Sequence, residues 1–116
     1  MSSKRVDALR AQAADAEHAA AGYVYGLTNP AMPGQLKIGF TSRSPWDRAR
    51  ELSGPSGVPQ PYVLEWALRY DDAKTAEQSI HRRLQHARTS SSREFFRCSP
   101  EEGLWVAVHM QQREHG

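Results

Sequence analysis

A chain of 116 residues with a formal net charge of +2 is long enough for one domain with a single core and too short for two of ordinary size. Mean hydropathy is low at -0.70, but three Trp, four Tyr and three Phe supply apolar area for folding and argue against wholesale disorder. The single cysteine, Cys98, excludes an internal disulfide and a thiolate-rich metal site, and the chain has no signal-peptide run or membrane-length apolar stretch, so a cytoplasmic protein without a membrane partner is expected.

In chain order, residues 3–21 have high helix propensity and carry neither proline nor glycine. Val6, Leu9, Ala13, Ala16 and Ala20 recur at alternating spacings of three and four, a heptad seam built mostly of alanine. It reads either as an amphipathic helix lying on or projecting from the domain, or as a segment for a homodimer or another protein partner. Next, Tyr23 to Leu27 and Leu36 to Phe40 are two runs of β-formers, separated by Thr28 to Gly34, where two prolines and a glycine stop regular structure. A hairpin with a wide loop follows, with Tyr23 and Tyr25 on one face and Lys37 and Gly39 sharing a face of the partner strand.

Ser44-Pro45-Trp46-Asp47 combines a capping hydroxyl, a proline at the first helical position and an early acid, so a helix starts near Pro45. Trp46, Ala49, Leu52 and Ser53 are expected to face inward, with Arg48 and Arg50 on the flanks. The glycine- and proline-rich stretch Gly54 to Pro61 is a loop. Tyr62 to Tyr70 reads as the third strand, with Leu64, Trp66, Leu68 and Tyr70 on the core face and Val63, Glu65, Ala67 and Arg69 on the other.

Asp71-Asp72 opens a second helix whose buried stripe is Ala73, Ala76, Ile80, Leu84 and Ala87, with Glu77 and His81 one turn apart beside it. A carboxylate held there needs an arginine or a divalent cation as partner. Arg93 to Arg97 is a short extended segment that inserts two phenylalanines, and Ser99-Pro100-Glu101-Glu102 starts a last helix through Leu104, Trp105 and Val108, followed by a frayed polar tail over 111–116. Arg82, Arg83, Arg88, Arg93 and Arg97 cluster with one acid, Glu94, and read equally as a solvated face or as a phosphate-binding surface.

Taken together, Tyr23-Val24-Tyr25, then eleven residues, then Lys37-Ile38-Gly39, with Arg48 nine beyond Gly39, resemble the GIY-YIG nuclease superfamily. The closer likeness is to the branch named after an open reading frame of bacteriophage T5, in which KIG stands for YIG, and Arg93-Glu94-Phe95-Phe96 adds to it. The resemblance covers about 22–110 and implies an α+β fold: a small, mostly antiparallel three-stranded sheet flanked by helices, here preceded by the extra helix of 1–21. It implies a metal-dependent DNA endonuclease with Tyr25 as general base, Arg48 on the scissile phosphate, Lys37 favouring the phenolate or meeting phosphate, and His81 near the leaving side. Glu77 would hold one Mg²⁺ or Mn²⁺ per site. Tyr23, Arg43, Arg50, Arg82, Arg83 and Arg88 are the nucleic-acid-binding candidates, and Glu94 is a structural anchor expected to pair with Arg48 or Arg50. The alternative is a weak or inactive module on the same scaffold that binds nucleic acid or protein. Target sequence and the choice between DNA and RNA are not legible.

Overall fold

The computed structural model of the chain describes residues 21–54, 60–89 and 94–115. The expected N-terminal helix up to position 20, with its seam, and Arg93 lie outside the described residues. Strand β1 (Gly22–Thr28) pairs antiparallel with β2 (Leu36–Thr41). The wide loop between them is pinned by Asn29, which accepts from Ala31 N–H at 2.9 Å and donates to Gln60 O at 2.8 Å. Helix α1 (Pro45–Ser53) follows, then β3 (Val63–Tyr70) on the other side of β1.

Helix α2 (Ala73–Arg83) is capped by Asp72, whose side chain accepts from Thr75 N–H, and it ends in a 3-10 turn over Gln85–Ala87. That tighter turn rotates Ala87 away from the stripe, so it is half-buried rather than buried. Phe95–Phe96 forms β4, which pairs with Leu36 and Lys37 and gives a four-stranded antiparallel sheet of order β3-β1-β2-β4. The short extended segment expected there thus joins the sheet. Helix α3 (Pro100–His115) opens with a capping box in which Glu102 N–H donates to Ser99 Oγ and Ser99 N–H to Glu102 Oε1, and it runs past Met110.

Side-chain alternation divides the core between the two sheet faces. One face carries Val24, Ile38, Trp66 and Tyr70 against Ile80 of α2 and Ala107 of α3. Trp66 lies on Gly26, where any Cβ would collide with the indole, and donates from Nε1 to Pro100 O at 2.9 Å. The Tyr70 hydroxyl reaches Ala107 O. The other face carries Tyr25 and Leu27 against Ala49 and Leu52 of α1.

Two expected placements are corrected. Trp46 is 65 % exposed because Pro45, one turn before Ala49, takes the inward place at the start of α1, while Ala49 and Leu52 face inward as expected. Leu64 leaves the Trp66 face and packs with Tyr25 and Leu27, because a β-bulge opposite Gly26 and Leu27 inserts Glu65 as an extra residue and resets the alternation.

Candidate functional site

The hairpin positions Tyr25 first. Its Cα lies opposite Gly39, and its ring crosses β2 so closely that a Cβ at position 39 would stand 2.5 Å from the hydroxyl oxygen. Glycine at this point of the Lys37-Ile38-Gly39 run is therefore a matter of space for the phenol. Arg48, in the first turns of α1, stands beside that hydroxyl and donates a hydrogen bond, at 3.2 Å, to Glu51 Oε2. Glu51 also binds Arg43 at 2.7 Å. Burial pushes the Tyr25 hydroxyl above the ordinary range for tyrosine, and the Arg48 hydrogen bond and charge work against it. Its neighbouring cation is Arg48, where Lys37 was expected.

On the outer side of β2 the backbone would be bare beyond β4, since β4 pairs only with Leu36 and Lys37. Chain and helix together cover it. Ile38 N–H donates to Glu94 O at 2.9 Å, His81 Nε2 lies 2.8 Å from Ile38 O, and the Glu77 carboxylate lies beside Phe40 N–H, which favours its charged form. With a carbonyl as partner, His81 must carry its proton on Nε2, which leaves Nδ1 as a lone pair 4.0 Å from Glu77 Oε1. Burial lowers the His81 pKa, so the ring is neutral at pH 7, and it leans on Phe96 with centroids 5.0 Å apart. These contacts make it a brace for the edge as well as a neighbour of the acid.

Glu77 is 9 % exposed, and burial followed by the nearby Glu94 charge raises its pKa to about 7. Tyr25 and Glu77 thus reach the same peptide, Gly39-Phe40, one over the Cα of Gly39 and one at the N–H of Phe40. Lys37 does not neutralise the acid by contact. Its ammonium binds Glu94 Oε2 at 2.7 Å and sits 5.1 Å from the centre of the Phe95 ring. The Glu94 carboxylate pairs with Lys37, where Arg48 or Arg50 was expected; Arg48 lies beside Tyr25 and bonds Glu51, and Arg50 bonds Asp47.

The other nucleic-acid candidates separate into two groups. Tyr23, Arg43 and Arg50 belong to the hairpin and α1 side, where Arg43 and Arg50 are engaged by Glu51 and Asp47. Arg82 and Arg83 are exposed in the last turn of α2, which packs on the opposite sheet face, and Arg88 lies over the Phe96 ring at 5.6 Å. Glu51 was missed by sequence reasoning, although its spacing of three from Arg48 on one helix is the signal that could have found it.

Among the described residues no group of three or more His, Cys, Asp or Glu stands together as a metal cage. The donor set that is present is one carboxylate, costly to ionise where it lies and repelled by a second acid. This fits a hard cation that keeps most of its own water and takes few protein oxygens.

A four-stranded antiparallel sheet with helices packed on both faces defines a small α+β domain. Residues 22–110 match the family model of the T5orf172 domain, and the chain belongs to that family. No curated protein and no solved structure matches it. Among the described residues no helix is long and apolar enough to cross a membrane.

Proposed function

We propose that this protein is a metal-dependent endonuclease that hydrolyses DNA phosphodiester bonds. The observation that carries the reading is the convergence of Tyr25, with Arg48 beside it, and Glu77 on the Gly39-Phe40 peptide. Tyr25, as phenolate, takes the proton of the attacking water, and the Arg48 charge beside that oxygen favours the ionised form. The exposed side of the Arg48 guanidinium has donors left for a phosphate oxygen. Glu77 would hold one Mg²⁺ or Mn²⁺, which when bound would supply positive charge to the phosphoryl group and to the departing 3′ oxygen. His81, neutral and fixed through Nε2, holds the edge against which Glu77 is set. Arg82, Arg83 and Arg88 are proposed contacts to the DNA backbone.

The test is a plasmid-nicking assay with Mg²⁺ or Mn²⁺ on the full chain and on Tyr25→Phe and Glu77→Gln, with circular dichroism as a control for folding. Nicking lost in both folded variants, and abolished by chelator, is the expected result. Folded wild-type protein that binds DNA but leaves it intact under every metal condition overturns the catalytic reading in favour of a binding module.

A further inference from the structure

Glu77 and His81 stand one turn apart on the face of α2 that lies against β2, a spacing at which two side chains of one helix can share a single ion. The His81 ring is held from two sides, with Nε2 2.8 Å from Ile38 O and the ring plane against Phe96. A carbonyl oxygen only accepts, so in the neutral ring the proton sits on Nε2 and Nδ1 presents a bare lone pair. What that lone pair faces is another acceptor, Glu77 Oε1, 4.0 Å away. The separation is too long for a hydrogen bond between the two, whichever of them carries a proton. The basic side chains of the same edge are engaged with other groups, Lys37 with Glu94 at 2.7 Å and Arg88 with the Phe96 ring. Two electron-rich atoms thus face each other across a gap, on side chains that keep 11 % and 12 % of their surface in contact with water.

We propose that His81 Nδ1 and the Glu77 carboxylate are joint ligands of one divalent transition-metal cation, with Mn²⁺ preferred over Mg²⁺. The inference rests on the reading of Glu77 as a metal ligand and adds an imidazole nitrogen to it. Nitrogen and oxygen donors lie about 2.0–2.2 Å from a bound first-row cation, so two that share one ion stand no more than about 4.4 Å apart. The observed 4.0 Å is inside that limit, and a turn of the Glu77 carboxylate about its soft terminal torsion closes it to an ordinary coordination angle.

The contact between Nε2 and Ile38 O is the one that metal-bound imidazoles make with their other nitrogen: it sets the tautomer, orients the ring and raises the basicity of Nδ1. Nitrogen in the donor set also separates metals. Mg²⁺ takes oxygen and keeps its waters, whereas imidazole suits the first-row transition series, in which affinity rises from Mn²⁺ towards Cu²⁺. Both ligands sit on regular helix packed against a strand, so the pair is set before any ion arrives.

The direct test is nitrogen-15 NMR of the full chain with labelled histidine, at pH 8 and without DNA, titrated with Zn²⁺ as a diamagnetic probe. Calorimetry with Mn²⁺ and Mg²⁺ on wild type, Glu77→Gln and His81→Gln accompanies it. His81→Gln keeps an amide N–H to donate to Ile38 O but has no counterpart of Nδ1, and circular dichroism reports its fold. The expected result is that the His81 Nδ1 resonance, assigned through its own ring protons, leaves the position of a bare imidazole nitrogen as Zn²⁺ binds. Mn²⁺ binds wild type at least about tenfold tighter than Mg²⁺, and His81→Gln loses about tenfold or more of the Mn²⁺ affinity while Mg²⁺ affinity stays within about twofold. A His81 Nδ1 resonance indifferent to Zn²⁺ overturns the proposal whether or not the variant folds, and so does folded His81→Gln with unchanged Mn²⁺ affinity. If Glu77→Gln abolishes binding in that case, the single-carboxylate reading stands without His81; wild type that binds none of the three ions sinks both.

Discussion

Glu77 is held where its charged form is penalised, and the consequence for stability has a definite sign. Its carboxyl ionises near 4.5 when free and near 7 in the fold, so between those values the unfolded chain has lost a proton that the folded chain keeps. Stability therefore falls as pH rises from about 4.5 to 7, by about 3 kcal/mol in all. Glu77→Gln keeps the shape of the side chain, removes the titrating proton and so removes this slope. Urea denaturation at pH 5 and pH 8 is expected to show the variant gaining on the wild type by up to that amount at pH 8 only. The same proton competes with a cation, so Mn²⁺ affinity measured by calorimetry is expected to drop about tenfold per pH unit below 7 and to vanish in the variant. Tyr25, whose ionisation is pushed up by burial, gives a nicking rate that keeps rising with pH beyond 9.

Elements set these residues in place, and the local signals for them were mostly legible. The Ser44 cap with Pro45, the Asp72 cap and the Ser99 capping box each start a helix where the sequence says one should begin. Ser99→Ala is expected to cost about 1 kcal/mol, read as a lower midpoint in urea. The Trp46 and Leu64 placements were not legible, because which of two adjacent residues starts the inward stripe of a short helix, and an inserted Glu65 in a strand, leave the composition of each segment unchanged. The partner of Glu94 was not legible either, since Lys37 and Glu94 are brought together only when Phe95–Phe96 lines up beside β2. By contrast, the glycine of the Lys37-Ile38-Gly39 run has a reason visible only in three dimensions. Gly39→Ala must push the Tyr25 ring aside, costing about 1–3 kcal/mol in urea denaturation and displacing the hydroxyl from Arg48.

For the whole molecule, the sheet is a two-faced plate: α1 with its paired arginines covers one side, α2 and α3 the other. A net charge of +2 is too small to hold DNA by bulk attraction, so affinity has to come from local cations. Removing Arg82, Arg83 and Arg88 together is expected to flatten the plot of log binding constant against log salt for duplex DNA, by about one unit for each phosphate that is no longer neutralised. An unchanged slope would move the DNA to the α1 side, where Arg43, Arg48 and Arg50 are the available cations.

The seal along β2 has an evolutionary corollary. Glu77 and His81 keep raw strand backbone from sticking to other polypeptides, a duty that persists whether or not any bond is ever cut. A descendant that had abandoned chemistry would still be selected to retain both. Their presence in a related sequence is thus poor testimony to turnover, while Tyr25, whose hydroxyl supports no strand, is the residue whose loss would mark retirement.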